Sequence, residues 1–172
     1  MQIYKMLSVM LDYPTQELLE HLAELREKTV SCADMDDLER AAVLKVLQYL
    51  GNASLTELQE RYVQTFDLTA EHSLHLTHHL FGDDKNRGPA LIDLGELYKD
   101  YGVEVLTNEL PDYLPLILEF AAYLDDSEAN VFLSDASKVF KVLAENLHKA
   151  ASPYAPLLSI IENRASLTCL AA

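Results

Sequence analysis

The stretch from Glu109 to Phe120, Glu-Leu-Pro-Asp-Tyr-Leu-Pro-Leu-Ile-Leu-Glu-Phe, constrains the fold more than any other part of the chain. Its spelling predicts a turn that feeds a helix. Asp112 follows Pro111 and can cap the N–H groups of a first turn. Pro115 falls in that same turn, where a missing N–H costs little. At steps of about 100° per residue, Leu114, Ile117, Leu118, Ala121 and Leu124 form one apolar face. The opposite stripe carries Asp112, Leu116, Glu119, Phe120 and Tyr123. A helix that is apolar on two sides has to be covered by something. Carboxylates set into its second face then require cationic or hydrogen-bonding partners, within the protein or on a ligand.

The remainder of the chain repeats apolar residues at helical spacing, and alternating strand patterns are absent. A first helix stops before Pro14. Leu18, Leu19, Leu22 and Leu25 follow Thr15 as a second, and Leu38 to Leu50 form a third that closes at Gly51-Asn52. Ser54-Leu-Thr-Glu57 has capping-box spacing and opens a fourth helix carrying Leu55, Leu58, Tyr62 and Phe66. Leu74, Leu76 and Leu80 suit a short helix ended by Gly82, before a charged loop through Asp83, Asp84 and Lys85. Gly88-Pro89 starts the next helix, with Gly102 as its C-cap. One long helix carries Val131 to Leu147, and Ser152-Pro153 opens a last one with Leu157, Leu158, Ile160, Ile161 and Leu167. The expectation is an all-α, single-domain bundle of about eight to nine helices over residues 1–172. A chain of that length buries roughly 70% of the surface its unfolded form exposes.

The formal charge of −15 argues against a nucleic-acid binder, which would show a basic patch. Between Glu60 and Glu128 stand 15 acidic residues against Arg61, Lys85, Arg87 and Lys99, so −11 of the −15 lies there. Such a concentration either solvates a surface or attracts a basic partner. Cys32 and Cys169 make no Cys-x-x-Cys motif and suit a reducing cytoplasm. The N-terminal run from Met1 lacks a cleavage site, and no apolar run approaches the ~20 residues of a membrane span. A cytoplasmic protein with no direct membrane insertion is expected.

His72, His75 and His79 would share one side of a helix, a spacing at which imidazoles can bind zinc. The glutamate-bearing His-Glu-x-x-His motif of zinc hydrolases is absent, so that different-class alternative stands on the histidine run alone. No Gly-x-Ser-x-Gly, phosphate loop or Cys/His pair points to catalysis. Neither catalytic nor metal-ligating residues, nor a cofactor, are expected. Leu116, Phe120 and Tyr123 interleaved with acids suit instead a partner helix that is both apolar and basic.

Four runs carry a family resemblance. They are Tyr62-Val-Gln-Thr-Phe-Asp67, Leu74-x-Leu76-Thr-x-His79-x-x-Gly82-Asp83, Arg87-Gly88-x-Ala90-Leu-Ile-Asp-Leu94, and the Glu109–Phe120 stretch itself. Together they resemble the NarJ-like nitrate reductase assembly chaperones, within the wider group that includes the TorD and DmsD types. The resemblance implies a non-enzymatic helical chaperone. Its implied partner is the N-terminal, leader-like segment of the apo catalytic subunit of nitrate reductase, held during molybdenum-cofactor insertion, with cofactor-synthesis proteins as further partners. An exported molybdoenzyme with a twin-arginine leader is the alternative client within the group. Carried onto matching positions, the peptide-contact or groove-shaping residues are Phe66, Asp67, His79, Arg87, Glu109, Pro111, Asp112 and Glu119. Tyr113, Leu116 and Phe120 join them from the second helix face. Asp112 is expected to touch ligand, and Glu119 to brace Arg87 or His79. The sequence departs from the family in Tyr113, where relatives often carry histidine, in Asp84-Lys85, and in ending at Ala172 without a polar tail.

Overall fold

A computed structural model describes residues 2–82, 84–106 and 108–167 of the protein. The expectations on Met1, Asp83, Cys169, Ala172 and the Leu167 side chain lie outside what is described. Among the described residues the chain forms eleven α-helices. These are α1 (Gln2–Leu11), α2 (Gln16–Glu20), α3 (Leu22–Ser31), α4 (Asp37–Gly51), α5 (Leu55–Tyr62) and α6 (Leu76–Phe81). Then follow α7 (Arg87–Asp100), α8 (Leu114–Tyr123), α9 (Asp126–Ser134), α10 (Ser137–Lys149) and α11 (Ala155–Leu167). None is long and apolar enough to cross a membrane.

The helix after Pro111 buries its first apolar face, as the helical repeat predicts. Leu114, Ile117, Leu118 and Ala121 of α8 are buried, and α8 packs chiefly on α1, whose Tyr4, Leu7 and Leu11 are buried as well. The buried Ser8 hydroxyl of α1 donates to the Pro115 carbonyl at 2.7 Å. Truncating Leu118, which has no exposed surface, to alanine would cost about 3 kcal/mol in lost transfer energy and cavity formation. The α10–α11 hairpin closes the bundle, with α11 also resting on α4 and α9. Arg164 of α11 grips both oxygens of Glu39 on α4, at 2.6 and 2.7 Å. This fork-on-carboxylate pair joins positions 125 residues apart. Cys32 is buried in the core.

Local signals placed most helix ends. Ser54 and Glu57 form the anticipated capping box, and Asp36 with Glu39 form another before α4. Gly82 ends α6 at φ 54°, a backbone region that side chains disfavour. Other boundaries differ. The second helix divides at His21, where both the backbone N–H and the ring of His21 reach the Glu17 carbonyl. The long helix divides between Ser134 and Ser137, at Asp135-Ala136, with no glycine or proline to signal it. The helix from Ser54 ends in a π-turn, Val63–Asp67, closed by Leu68 N–H to Val63 carbonyl at 3.0 Å. α7 starts at Arg87, which puts Pro89 at its third position, and α11 starts at Ala155, two residues beyond Pro153.

Two expectations for α8 are corrected. Asp112 does not cap it: the helix begins at Leu114, and Tyr113 precedes it without a side-chain cap. The second face does not stay together either. Phe120 turns into the core against Tyr98, Tyr101 and Phe132, whereas Tyr123 is 65% exposed and Glu119 is exposed.

Candidate functional site: a cavity beside the start of α8

The segment before α8 is held by the segment before α6. Leu76 N–H donates to the Asp112 carbonyl at 3.1 Å, and Leu114 N–H to the Leu74 carbonyl at 2.8 Å. These two bonds make an antiparallel bridge between His75 and Tyr113. Side chains alternate across such a bridge, so Asp112 and Tyr113 face opposite ways.

Asp112 faces inward and is fully buried. Its Oδ2 accepts the Thr77 N–H at 3.0 Å and the Thr77 hydroxyl, and its Oδ1 accepts His75 Nδ1 at 3.2 Å. It therefore satisfies the first turn of α6, not of its own helix. Burial pushes the carboxyl upward, but the His75 and Thr77 hydrogen bonds outweigh it and hold the group below the usual aspartate value. Arg87 completes the knot, its Nε donating to the Thr77 hydroxyl oxygen at 3.1 Å. With no exposed surface, Asp112 cannot itself touch a ligand. It is a structural anchor.

Tyr113 faces outward, into a cavity of about 390 Å³. Phe66 and Asp67, at the end of the π-turn, form one wall, and Leu68, Ala70 and Ser73 continue it. Tyr62, Leu74, His75 and His78 line the rest. The π-turn matters here because the extra residue in its ring turns Phe66 into the core while leaving Asp67 in solvent. Phe66 packs on Tyr62 and Tyr154, with ring centroids 4.8 and 5.1 Å away. The mouth is apolar and acidic together, with Leu68 75% exposed beside the Asp67 carboxylate. Burial pushes the hydroxyls of Tyr62 and Tyr113 well above the usual tyrosine range, so both stay protonated.

Of the residues singled out in the sequence, Phe66, Asp67 and Tyr113 meet in this cavity. His79 lies behind it, its Nε2 against the Ser73 carbonyl at 2.7 Å, where burial lowers its pKa. Arg87 supports the cavity through Thr77 rather than lining it. Pro111 accepts the Tyr98 hydroxyl on its carbonyl at 2.8 Å and does not line the cavity, and Glu109 is exposed in the preceding loop. Glu119 braces neither Arg87 nor His79; it has no ion-pair or hydrogen-bond partner among the described residues. An exposed carboxylate is already satisfied by water, so no brace is required. Leu116 is half-buried, and Phe120 lines a separate apolar hollow between α7, α8 and α9.

The histidine run does other work than its spacing suggested. His72 Nδ1 meets the Thr65 carbonyl at 3.1 Å, His75 binds Asp112 and His79 binds Ser73. Three different partners draw the rings apart, and among the described residues no three His, Cys, Asp or Glu converge as metal ligands. His75, read only as a zinc candidate, is a cavity wall, and so is His78. Thr77 stands in one of the four motif runs with no role assigned to it, and Leu68 lies just outside another. Position in or beside a motif run was the only signal they offered.

Comparison with known proteins places this geometry in context. The model of the family described as nitrate reductase delta subunit matches residues 11–159, which include every residue of the cavity. An Escherichia coli K12 protein named nitrate reductase molybdenum cofactor assembly chaperone NarJ is 32% identical over 154 residues. That alignment covers 90% of this chain and 65% of the E. coli protein, so the chain spans just under two thirds of that relative's length. A Bacillus subtilis protein named as a probable chaperone of the same kind is 32% identical over 159 residues, covering 92% of this chain and 85% of its own. The nitrate reductase-like protein NarX of Mycobacterium tuberculosis H37Rv matches 92% of this chain at 32% identity, within 24% of its own length.

Proposed function

The chain belongs to the nitrate reductase delta subunit family, and from that premise we propose that it is an assembly chaperone for a respiratory nitrate reductase rather than an enzyme. It binds the basic, amphipathic N-terminal segment of the apo catalytic subunit and keeps that subunit open to molybdenum-cofactor insertion. Relatives named as molybdenum cofactor assembly chaperones support the general role. The observation that carries the peptide reading is the cavity, where exposed Leu68, the Asp67 carboxylate and the Tyr113 ring share one mouth.

The chemistry fits a segment that is apolar on one side and cationic on the other. Apolar anchors enter between Phe66, Leu74 and Tyr113, and a lysine or arginine at the rim meets Asp67. The surrounding negative field speeds encounter with such a segment and weakens as salt screens it. Asp112 and Arg87 act at one remove, by fixing the bridge on which Tyr113 stands.

Calorimetric titration with a synthetic peptide from the start of the catalytic subunit tests the reading. The peptide binds at low salt, binding weakens as salt rises, and Asp67→Asn lowers affinity about threefold, the scale of one exposed ion pair. Absence of binding at low salt would overturn it. Tighter binding of a twin-arginine leader in competition would move the client to an exported molybdoenzyme.

A further inference from the structure

Tyr113 lines the cavity on one side. Beyond it, between the end of α1 and the α2–α3 pair, lies a second hollow of about 400 Å³. Val9, Asp12, Tyr13, Glu17 and Leu18 are among its walls. Two direct contacts join the hollows. The Tyr113 hydroxyl donates to Asp12 Oδ1 at 3.0 Å, and the Tyr13 ring meets the Tyr62 ring edge-on with centroids 5.4 Å apart. Tyr62 and Tyr113 face the first hollow, Asp12 and Tyr13 the second. Two pairs of touching side chains therefore stand between the hollows.

Hydrogen-bond donors are short on that partition. The Tyr62 hydroxyl lies 2.9 Å from the Leu11 carbonyl and 2.7 Å from the Tyr113 hydroxyl, which in turn reaches Asp12. Two hydroxyl hydrogens serve three contacts, so one oxygen pair always lacks a proton between its members. Asp12 also accepts the Tyr13 N–H at 2.8 Å, but it has no cationic partner among the described residues. The second hollow adds Glu17 and Glu24, and its Lys28 is already held by Glu24 at 2.6 Å. Exposed Val9 and Tyr13 supply apolar surface beside these acids.

We propose that the bound segment crosses this partition and occupies both hollows, with Asp12 as the anchor for one of its arginine or lysine side chains. This rests on the peptide reading above and names where the segment's charge is read. An arginine fits best, because its planar fork can serve the Asp12 carboxylate and a neighbouring phenol oxygen together. The arriving N–H groups supply the donors that the Tyr62–Tyr113–Asp12 chain lacks.

A double-mutant cycle tests the proposal, with the same catalytic-subunit peptide and versions in which each basic residue in turn is glutamine. Asp12→Asn keeps the side chain's size and its ability to accept from Tyr113. It lowers affinity for the parent peptide about fivefold. One glutamine peptide then binds wild type and Asp12→Asn equally, which identifies the paired residue. Glu17→Gln, on an exposed helix, lowers the salt dependence without touching the partition and serves if Asp12→Asn unfolds. Equal affinity of wild type, Asp12→Asn and Glu17→Gln for the parent peptide overturns the proposal, as does an Asp12→Asn loss that is the same for every peptide. Binding that responds to Asp67→Asn and not to these variants removes only this extension. Failure of wild type to bind removes the peptide reading itself.

Discussion

Asp112 and Tyr113 are neighbours in the chain and belong to opposite regions of the molecule. Asp112 enters a closed knot in which Thr77, His75 and, through Thr77, Arg87 meet its needs. Tyr113 enters a cavity and shares its hydroxyl with Tyr62 and with a second carboxylate, that of Asp12. Both acids accept hydrogen bonds, yet one is wholly buried and the other exposed. A buried and satisfied carboxylate specifies the fold; an exposed one with no cation beside it can still receive a ligand.

The largest break in this contrast comes from Asp112→Ala. Removing the carboxylate strands Thr77 and His75 and leaves Arg87 facing an unpaired hydroxyl, costing about 3–4 kcal/mol. Urea denaturation should show the loss as a lower midpoint with an unchanged slope. Thr77→Val removes one donor to Asp112 and the acceptor of Arg87 in nearly the same volume. It should cost about 1.5–2 kcal/mol in the same measurement.

Acid sharpens the comparison next. Asp112 is held below its unfolded value near 3.8, so its stabilisation is complete above that pH. It is lost as pH falls through the still lower folded value. Stability measured downward from pH 5 should decline less steeply in Asp112→Asn than in wild type. His79 acts in a higher window. Burial lowers its pKa from 6.5, so its contribution is present above 6.5 and lost as pH falls toward the lowered value. His79→Gln should flatten that part of the same stability profile. Last, Glu119→Gln should change stability by no more than about 0.5 kcal/mol, as for a surface residue without partners.

Much of this was legible in the sequence. The burial of Leu114, Ile117, Leu118 and Ala121 follows from the helical repeat, and the motif runs contain Phe66, Asp67 and Tyr113, which line the cavity. The double-sided character of the 109–120 stretch also called for cover, which α1 and the aromatic set around Phe120 provide. Glu119 was misread because a projection places residues on a face without saying whether a neighbour lies above it. The π-turn and the break at Asp135-Ala136 were invisible, since neither carries a glycine or proline.

By itself the sequence determined what is local: helix positions, the Ser54 capping box, the stop at Gly82 and the acidity of the middle third. Caps and apolar periods act over three or four residues, and no distant partner is needed to read them. Only the tertiary structure decided which way residues 112 and 113 face. That choice rests on Thr77, 35 positions earlier, and on the bridge to the Leu74–Leu76 backbone. The same bridge converted an expected cap of α8 into an anchor for α6. It also left Tyr113 facing the exposed Asp12, 101 residues away in the chain.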